Sequence, residues 1–133
     1  MASGLYAKYK QTLLGGGTRI DLTTDDIRAI MVDVADYAVN LATHDFLDDI
    51  PGAARVAVSG ALSGKTVTDG AFNATDTSFT SVTGDGTEAL VLYKHTGVDS
   101  TSPLIAYFDN AGVVFTPNGN NVTLDFPVPI FSL

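Results

Sequence analysis

The sequence predicts a mainly β protein, an antiparallel β-sandwich or barrel of the jelly-roll type, with a short N-terminal helix and a helical turn near residues 43–50. Asp outnumbers Glu by 14 to 1, and there are 13 glycines, a composition that favours turns over helix interiors. Roughly eight short apolar segments recur at spacings of about 8–12 residues, as in sandwiches and barrels. With 133 residues, we expect a single domain over residues 1–133.

The first element is a helical arm over residues 1–17, read from "SGLYAKYKQTLLGGG". Leu5, Tyr9 and Leu13 recur at four-residue intervals, and Tyr6 precedes Leu13 by seven, so these side chains form one apolar stripe. The three glycines that follow end the helix. A helix this short is marginal alone, so it must dock either on its own domain or on a neighbouring chain.

The signals then become those of strands. "TRIDL" (18–22) predicts a short strand, and "DDIRAIMVDV" (25–34) carries apolar residues on both alternating faces. Such a pattern is typical of a central strand covered on both sides. "ADYAVNLATHDFLDDIPG" (35–52) predicts a connection in which Thr43 caps a turn of helix. Its expected buried anchors are Phe46, Leu47 and Ile50.

Further strands are expected in "ARVAVSGAL", "KTVTDGAFNA", "TSFTSVT", "GDGTEALVLYKHT" and "SPLIAYFDNAGVVFTPNGNNVTLDF". Tight turns are predicted at 110–112 and 118–119. The prolines of "FPVPIFSL" cannot donate ladder hydrogen bonds, so this segment should lie at a sheet edge or peel away. We expect the apolar tail, residues 127–133, to be tucked in or buried against another copy.

Charge and composition exclude several classes of partner. The net charge is −8 and the seven basic residues are scattered singly, whereas nucleic-acid binding needs clustered cations that displace phosphate counterions. We therefore expect no nucleic-acid partner and, for the same reason, no membrane-surface partner. The apolar runs are far too short to cross a bilayer. Without cysteine there are no disulfides and no thiolate metal sites.

One short segment is a candidate for metal chemistry. His44, Asp45, Asp48 and Asp49 fall within six positions, and His44 and Asp48 could share a helical face. Zinc needs three or four converging ligands, and the segment lacks the spacing of a calcium loop. We interpret the cluster as caps and solvated charge, with a metal site as the open alternative.

No other motif indicates catalysis. Ser59 and Ser63 lie outside the G-x-S-x-G pattern, and the glycines of "LLGGGT" follow a helix rather than precede one, unlike those of a phosphate loop. We therefore predict no catalytic residue, no cofactor and no metal centre, and hence no enzyme. His95 follows an apolar strand, where a rim histidine bonded to a neighbour and a subunit-contact histidine are both compatible with the pattern.

A set of longer phrases carries a family resemblance. These are the "LLGG" helix exit, "IMVDVADY", "HDFLDDIP", "KTVTDGAFNATDTSFTSVTGD" and "YKHTGVDSTSPLIAYFD". Spread over nearly the whole chain, they resemble a family of small virion structural proteins of tailed bacteriophages. The resemblance implies a virion structural protein made in the host cytoplasm, and within the virion we expect a decoration or cement protein on the capsid exterior. It carries over no catalytic residue.

The resemblance also implies partners. We expect contacts with the major capsid protein or other virion proteins, and a homo-oligomer, with a trimer preferred because capsids offer local three-fold positions. The alternatives are a tail, collar or fibre-associated virion protein and a small-ligand or metal-binding protein. The predicted interface residues are Leu5, Tyr6, Tyr9, Leu13, His95, Val128, Ile130, Phe131 and Leu133.

Overall fold

A five-stranded antiparallel sheet lies at the centre of the molecule. The structure, a computed structural model, describes residues 4–17, 19–84, 86–109, 116–124 and 130–132. In chain order the described strands and helix are β1 (Gly4–Leu5), α1 (Ala7–Leu13), β2 (Ile27–Val32), β3 (Arg55–Val58), β4 (Thr66–Thr68), β5 (Ala71–Asn73), β6 (Thr77–Phe79), β7 (Ala89–Lys94), β8 (Leu104–Phe108), β9 (Val122–Leu124) and β10 (Phe131–Ser132). Single-turn 3-10 helices occupy Leu47–Asp49, Gly52–Ala54 and Asp99–Thr101.

The central sheet has the strand order β1-β8-β7-β2-β3, and every pairing in it is antiparallel. Two smaller antiparallel sheets, β10-β5-β4 and β6-β9, complete the described β structure. The prediction of a mainly β, antiparallel fold is confirmed. Among the described residues no sheet closes on itself, so the layered arrangement is favoured over the barrel. No described helix has the length and hydrophobicity needed to span a membrane.

One face of the central sheet packs against the smaller sheets and α1. Along β2, alternate side chains point to this face because successive residues of a strand point to opposite sides. These are Ile27, Ala29 and Met31, all buried. The cover on this side includes Tyr9 of α1, Phe72 of β5, Phe79 of β6 and Leu124 of β9.

The opposite face is covered by the connection of residues 33–54, which joins β2 to β3. Ile30 and Val32 of β2 pack here against Tyr37, Leu47 and Ile50. The expected central strand, covered on both sides, is therefore confirmed. Leu47 and Ile50 are the buried anchors that the sequence predicts, whereas the third, Phe46, is only half-buried and forms a backbone bridge with Pro103.

Arg55 holds the connection against the start of β3. Its guanidinium donates hydrogen bonds to the carbonyl oxygens of Leu47 at 2.8 Å and Ile50 at 2.7 Å. A third contact, at 2.8 Å, reaches the carboxylate of Asp99. The planar, multiply donating guanidinium suits this task, and it links the connection to a second loop.

Two predicted elements differ from the structure. Residues 19–22 do not form a strand, because an Asp21 carboxylate oxygen accepts hydrogen bonds from the backbone N–H of Thr23 at 3.0 Å and from its hydroxyl at 2.7 Å, which stabilises a turn. The helix begins at Ala7, and Leu5 instead lies in β1 opposite Ala106. The predicted turn at 110–112 lies outside the described residues.

Candidate functional site

The two ends of the described chain meet at one surface. Phe131 of β10 packs edge-to-face on Tyr9 of α1, with ring centroids 6.3 Å apart. The same ring lies 5.4 Å from that of Phe72. The Ile130 backbone N–H donates to the Phe72 carbonyl oxygen at 2.8 Å. Residues 130–132, the described part of the tail, therefore lie at the edge of a small sheet and pack against their own domain.

An open cleft of about 380 Å³ adjoins this contact, lined by residues that include Tyr9, Leu13, Val67, Phe72 and Phe131. Leu13 is 43% exposed, Val67 49% and the adjacent Leu14 91%. We call this group, the exposed Leu13, Leu14 and Val67 with the half-buried Phe131, the terminal surface. Single exposed apolar residues are ordinary, but a group of them beside a cleft is typical of an interaction site.

Backbone hydrogen bonds attach the start of α1, which carries part of this surface, to its own domain. The Tyr6 N–H donates to the Ile105 carbonyl oxygen at 3.0 Å, and the Ala7 N–H donates to that of Leu41 at 2.7 Å. Gly15, with a φ of +98°, and Gly17, with a φ of +103°, follow the helix in the left-handed region. The predicted glycine stop is confirmed, and the helix docks on its own domain rather than requiring a neighbouring chain.

This docking corrects part of the predicted interface. Tyr6, Tyr9 and Ile130 are almost wholly buried in their own domain, so a partner has no surface of theirs to bind while the fold is intact. Leu5 is half-buried. Leu13 and Phe131 remain accessible, and their role as contacts stays a prediction. Val128 and Leu133 lie outside the described residues.

His95 lies just after β7, and its hydrogen-bonding partners do not belong to the terminal surface. Its Nδ1 atom is 3.4 Å from the Tyr93 hydroxyl, and its backbone N–H donates to the Asp26 carbonyl oxygen at 2.8 Å. The interpretation as a rim histidine bonded to a neighbour matches this geometry. A subunit contact through His95 stays a prediction.

The acidic segment does bring carboxylates together. Oxygen atoms of Asp45, Asp48 and Asp49 lie within 4.8 Å of one another. His44 is not among them, because its Nδ1 faces the Tyr37 hydroxyl at 2.8 Å and the Asn40 N–H at 3.3 Å. We refer to the three aspartates as the acidic cluster.

Capping explains one member of the acidic cluster. The Asp49 carboxylate accepts hydrogen bonds from the backbone N–H groups of Asp45 at 2.8 Å and Phe46 at 3.4 Å. The preceding turn is capped by Asn40, whose side-chain oxygen accepts from Ala42 and Thr43. The predicted capping role of Thr43 is therefore wrong, since Asn40 places its acceptor one turn earlier.

The unequal roles of two neighbouring aspartates give a direct test. Asp49→Ala should lower the free energy of unfolding by about 1–2 kcal/mol, because two backbone donors lose their acceptor. Asp48→Ala, the matched control, removes an exposed carboxylate and should change stability by less than about 0.5 kcal/mol. Urea denaturation of both variants measures the difference. Equal losses would mean that the cap contributes nothing.

A second cleft, of about 500 Å³, lies on another side of α1, with Lys8, Gln11, Asp45, Lys94 and Thr101 among its lining residues. Two of its polar groups, those of Lys94 and Thr101, already have partners. The Lys94 ammonium is 3.3 Å from the Asp25 carboxylate, and the Thr101 hydroxyl is 2.7 Å from that of Thr96. A nucleophile needs an adjacent base held in reach, and the described residues that line this cleft provide no such pair.

A row of hydrogen-bonded polar side chains lies under the connection of residues 33–54. No sequence pattern predicts it. The hydroxyls of Tyr6 and Tyr37 are 2.9 Å apart, and the Tyr37 ring stacks on that of His44 with centroids separated by 5.3 Å. Burial raises the pKa of Tyr37 to about 12. Both hydroxyls therefore stay protonated near neutral pH and act as hydrogen-bonding links rather than reactive groups.

Known proteins add no assignment: comparison with models of protein families finds no match, and comparison with curated proteins finds none. The family resemblance of the sequence phrases and the geometry of the terminal surface are therefore the two indications of function. Leu14 and Val67, which enlarge that surface, were missed from the sequence. The doubled leucine of "TLLGGG" was the available signal for Leu14, because one stripe of a short helix cannot bury both.

Proposed function

We propose that this chain is a structural protein of a tailed-bacteriophage virion, acting as a decoration or cement protein on the capsid exterior. The observation that carries the proposal is the terminal surface, where the exposed Leu13 and Val67 line a cleft together with the half-buried Phe131, and Leu14 is exposed next to Leu13. The resemblance of the sequence phrases supplies the class of protein. The function is adhesive and involves no reaction.

The rest of the fold suits this role. A central sheet with a hydrophobic core on each face resists deformation, because protein interiors pack as densely as crystals. Such a body transmits force from one neighbour to the next without disulfides. The net charge of −8 helps to keep unbound copies soluble.

The partner in this proposal is the major capsid protein in its assembled form. A protein that binds only the assembled shell stabilises it by mass action. The second candidate is a tail, collar or fibre-associated component, which uses the same adhesive surface at a different location in the virion.

Locating the polypeptide in intact particles tests the proposal. Electron microscopy should find its density on the capsid exterior at local three-fold positions, and quantitative mass spectrometry should find many copies per particle. Density along the tail axis with few copies would replace the first candidate by the second. Absence from purified virions would contradict both.

One substitution tests the surface itself. Leu14→Asp should weaken binding to particles at least about tenfold, because burying a leucine is worth about 1.5–3 kcal/mol and a charge cannot replace it. The matched control is Val98→Asp, which changes charge equally at a residue that is 56% exposed and outside the terminal surface. Pelleting with undecorated particles measures both. Equal binding by the two variants would exclude Leu14 from the contact.

A further inference from the structure

Charge is divided unevenly along the chain. The first 20 residues contain Lys8, Lys10 and Arg19 and no acidic residue. This basic segment therefore carries +3, and because the whole chain carries −8, the remainder carries −11. We call Lys8, Lys10 and Arg19 the basic arm. The division is unlike a uniformly acidic surface, which would serve solubility alone.

The described cations outside the basic arm already have partners. Arg28 lies 3.0 Å from Asp26, Arg55 lies 2.8 Å from Asp99, and Lys94 lies 3.3 Å from Asp25. The Lys65 ammonium donates to the Asp25 carbonyl oxygen. By contrast, Lys8, Lys10 and Arg19 form no ion pair with any residue that the structure describes, and all three are exposed.

The basic arm also lies beside apolar surface. Arg19 lines the cleft that Leu13 and Phe131 border, and Lys10 belongs to the same short helix as Leu13. Exposed cations next to exposed leucines match an acidic partner that also has an apolar component. Charge steers such an encounter and fixes its register, while the apolar contact supplies much of the binding energy.

The acidic cluster supplies the complementary charge. Its three carboxylates lie within 4.8 Å of one another, and among the described residues none of them is paired with a cation. Asp45 lines the same cleft as Lys8, so one member of the basic arm and one of the acidic cluster lie at one cleft without forming an ion pair within the chain. Each therefore remains available to a second molecule.

We propose that the basic arm of one copy binds the acidic cluster of a second copy of this chain, with Leu13 and Leu14 adding apolar contact. Because each copy carries both Lys8 and Asp45 at one cleft, two copies related by a two-fold axis make the arm-to-cluster contact twice, and a closed ring makes it once per neighbour. The proposal does not depend on the virion assignment, since it concerns the purified chain in solution.

Salt dependence is the first test. Sedimentation velocity of the purified full chain should show association at about 0.03 M salt, with the dissociation constant rising at least about tenfold at about 0.5 M, because salt shortens the range of charge interactions. A wild-type chain that stays monomeric at low salt overturns the proposal. Association that is insensitive to salt overturns it as well.

Charge reversal then tests the partner. The double substitution Lys8→Glu with Lys10→Glu makes both patches negative, and Asp45→Lys with Asp48→Lys makes both positive. Each variant alone should be monomeric, whereas an equimolar mixture should associate, because every arm then meets a cluster of opposite sign. Asp49 is kept because its carboxylate caps the turn. A mixture that stays monomeric overturns the second copy as the partner.

A single-site control guards against general charge effects. Asp48→Lys and Asp36→Lys each reverse one exposed carboxylate, but only the first belongs to the acidic cluster. Asp48→Lys should weaken self-association several-fold and Asp36→Lys should leave it near the wild-type value. Near-ultraviolet circular dichroism checks that every variant is folded. Equal weakening by both substitutions would indicate net charge rather than the cluster and would overturn the proposal.

Discussion

Raising the pH from about 9 to about 12 should unfold this protein cooperatively. All five tyrosines, Tyr6, Tyr9, Tyr37, Tyr93 and Tyr107, are buried. Burial raises the pKa of each of them above the ordinary value, because a phenolate loses its hydration inside the protein. For Tyr9 and Tyr37 the pKa rises to about 12.

The direction of the effect follows from proton counting. Unfolded tyrosines lose their protons near pH 10, whereas Tyr9 and Tyr37 hold theirs to about pH 12 in the native state. Between these values the folded chain binds more protons, so its stability falls as the pH rises. The stabilisation is fully present below about pH 10.

The size of the effect makes unfolding a realistic outcome. A two-unit shift corresponds to about 2.7 kcal/mol for one tyrosine. The stability lost through two such residues, with a further loss from Tyr6, is comparable with the low end of the roughly 5–15 kcal/mol by which a typical domain is stable.

Urea unfolding followed by far-ultraviolet circular dichroism at several pH values measures this loss. Tyr37→Phe is the control. It removes one titrating hydroxyl, so the loss of stability between about pH 10 and pH 12 should be smaller by the contribution of one tyrosine. Its stability at neutral pH should also fall, because Tyr6 and His44 lose a hydrogen-bonding partner. A midpoint that stays constant up to about pH 12 would contradict the burial of these phenols.

Ile50→Ala should cost about 2–5 kcal/mol, as much as a substitution in a central strand. Ile50 lies outside every strand, in the connection of residues 33–54, yet its side chain is fully buried against the central sheet. Truncation leaves a cavity that the connection cannot close, since Arg55 fixes the backbone of Ile50 through its carbonyl oxygen at 2.7 Å.

Val98→Ala is the matched loop control, because Val98 is 56% exposed and its truncation should change stability by less than about 0.5 kcal/mol. Denaturant midpoints compare the two variants. A loss below about 1 kcal/mol for Ile50→Ala would mean that the connection is a loose cover rather than half of a core.

Much of the β structure could be predicted from local patterns. Residues 27–32 are apolar on both alternating faces, and a strand of that kind is stable only where both faces are covered. Paired leucines and valines likewise predict β7, and the prolines near the end predict an edge position for the tail. These signals succeed because they depend on periodicity and backbone chemistry close in sequence.

The failures have both local and long-range causes. Thr18 to Leu22 have strand-like composition, but the Asp21 carboxylate bonds nearby backbone N–H groups and favours a turn. Leu5 fits a helical stripe by spacing, yet pairing with Ala106 in a strand buries its backbone groups better. In the candidate site, Tyr6 and Tyr9 belong to the same stripe as Leu13, and only packing decides which of them remain exposed.

The amino-acid order alone determines the mainly β class and the alternation that buries the central strand on both faces. It also determines the glycine stop after the helix and the basic segment that precedes an acidic remainder. Only the folded chain brings Tyr9, Phe72 and Phe131 together and leaves Leu14 exposed. The reason is physical: strand and turn preferences act between neighbours in sequence, whereas a shared surface depends on contacts between segments more than 50 residues apart, which exist only after the sheets have packed.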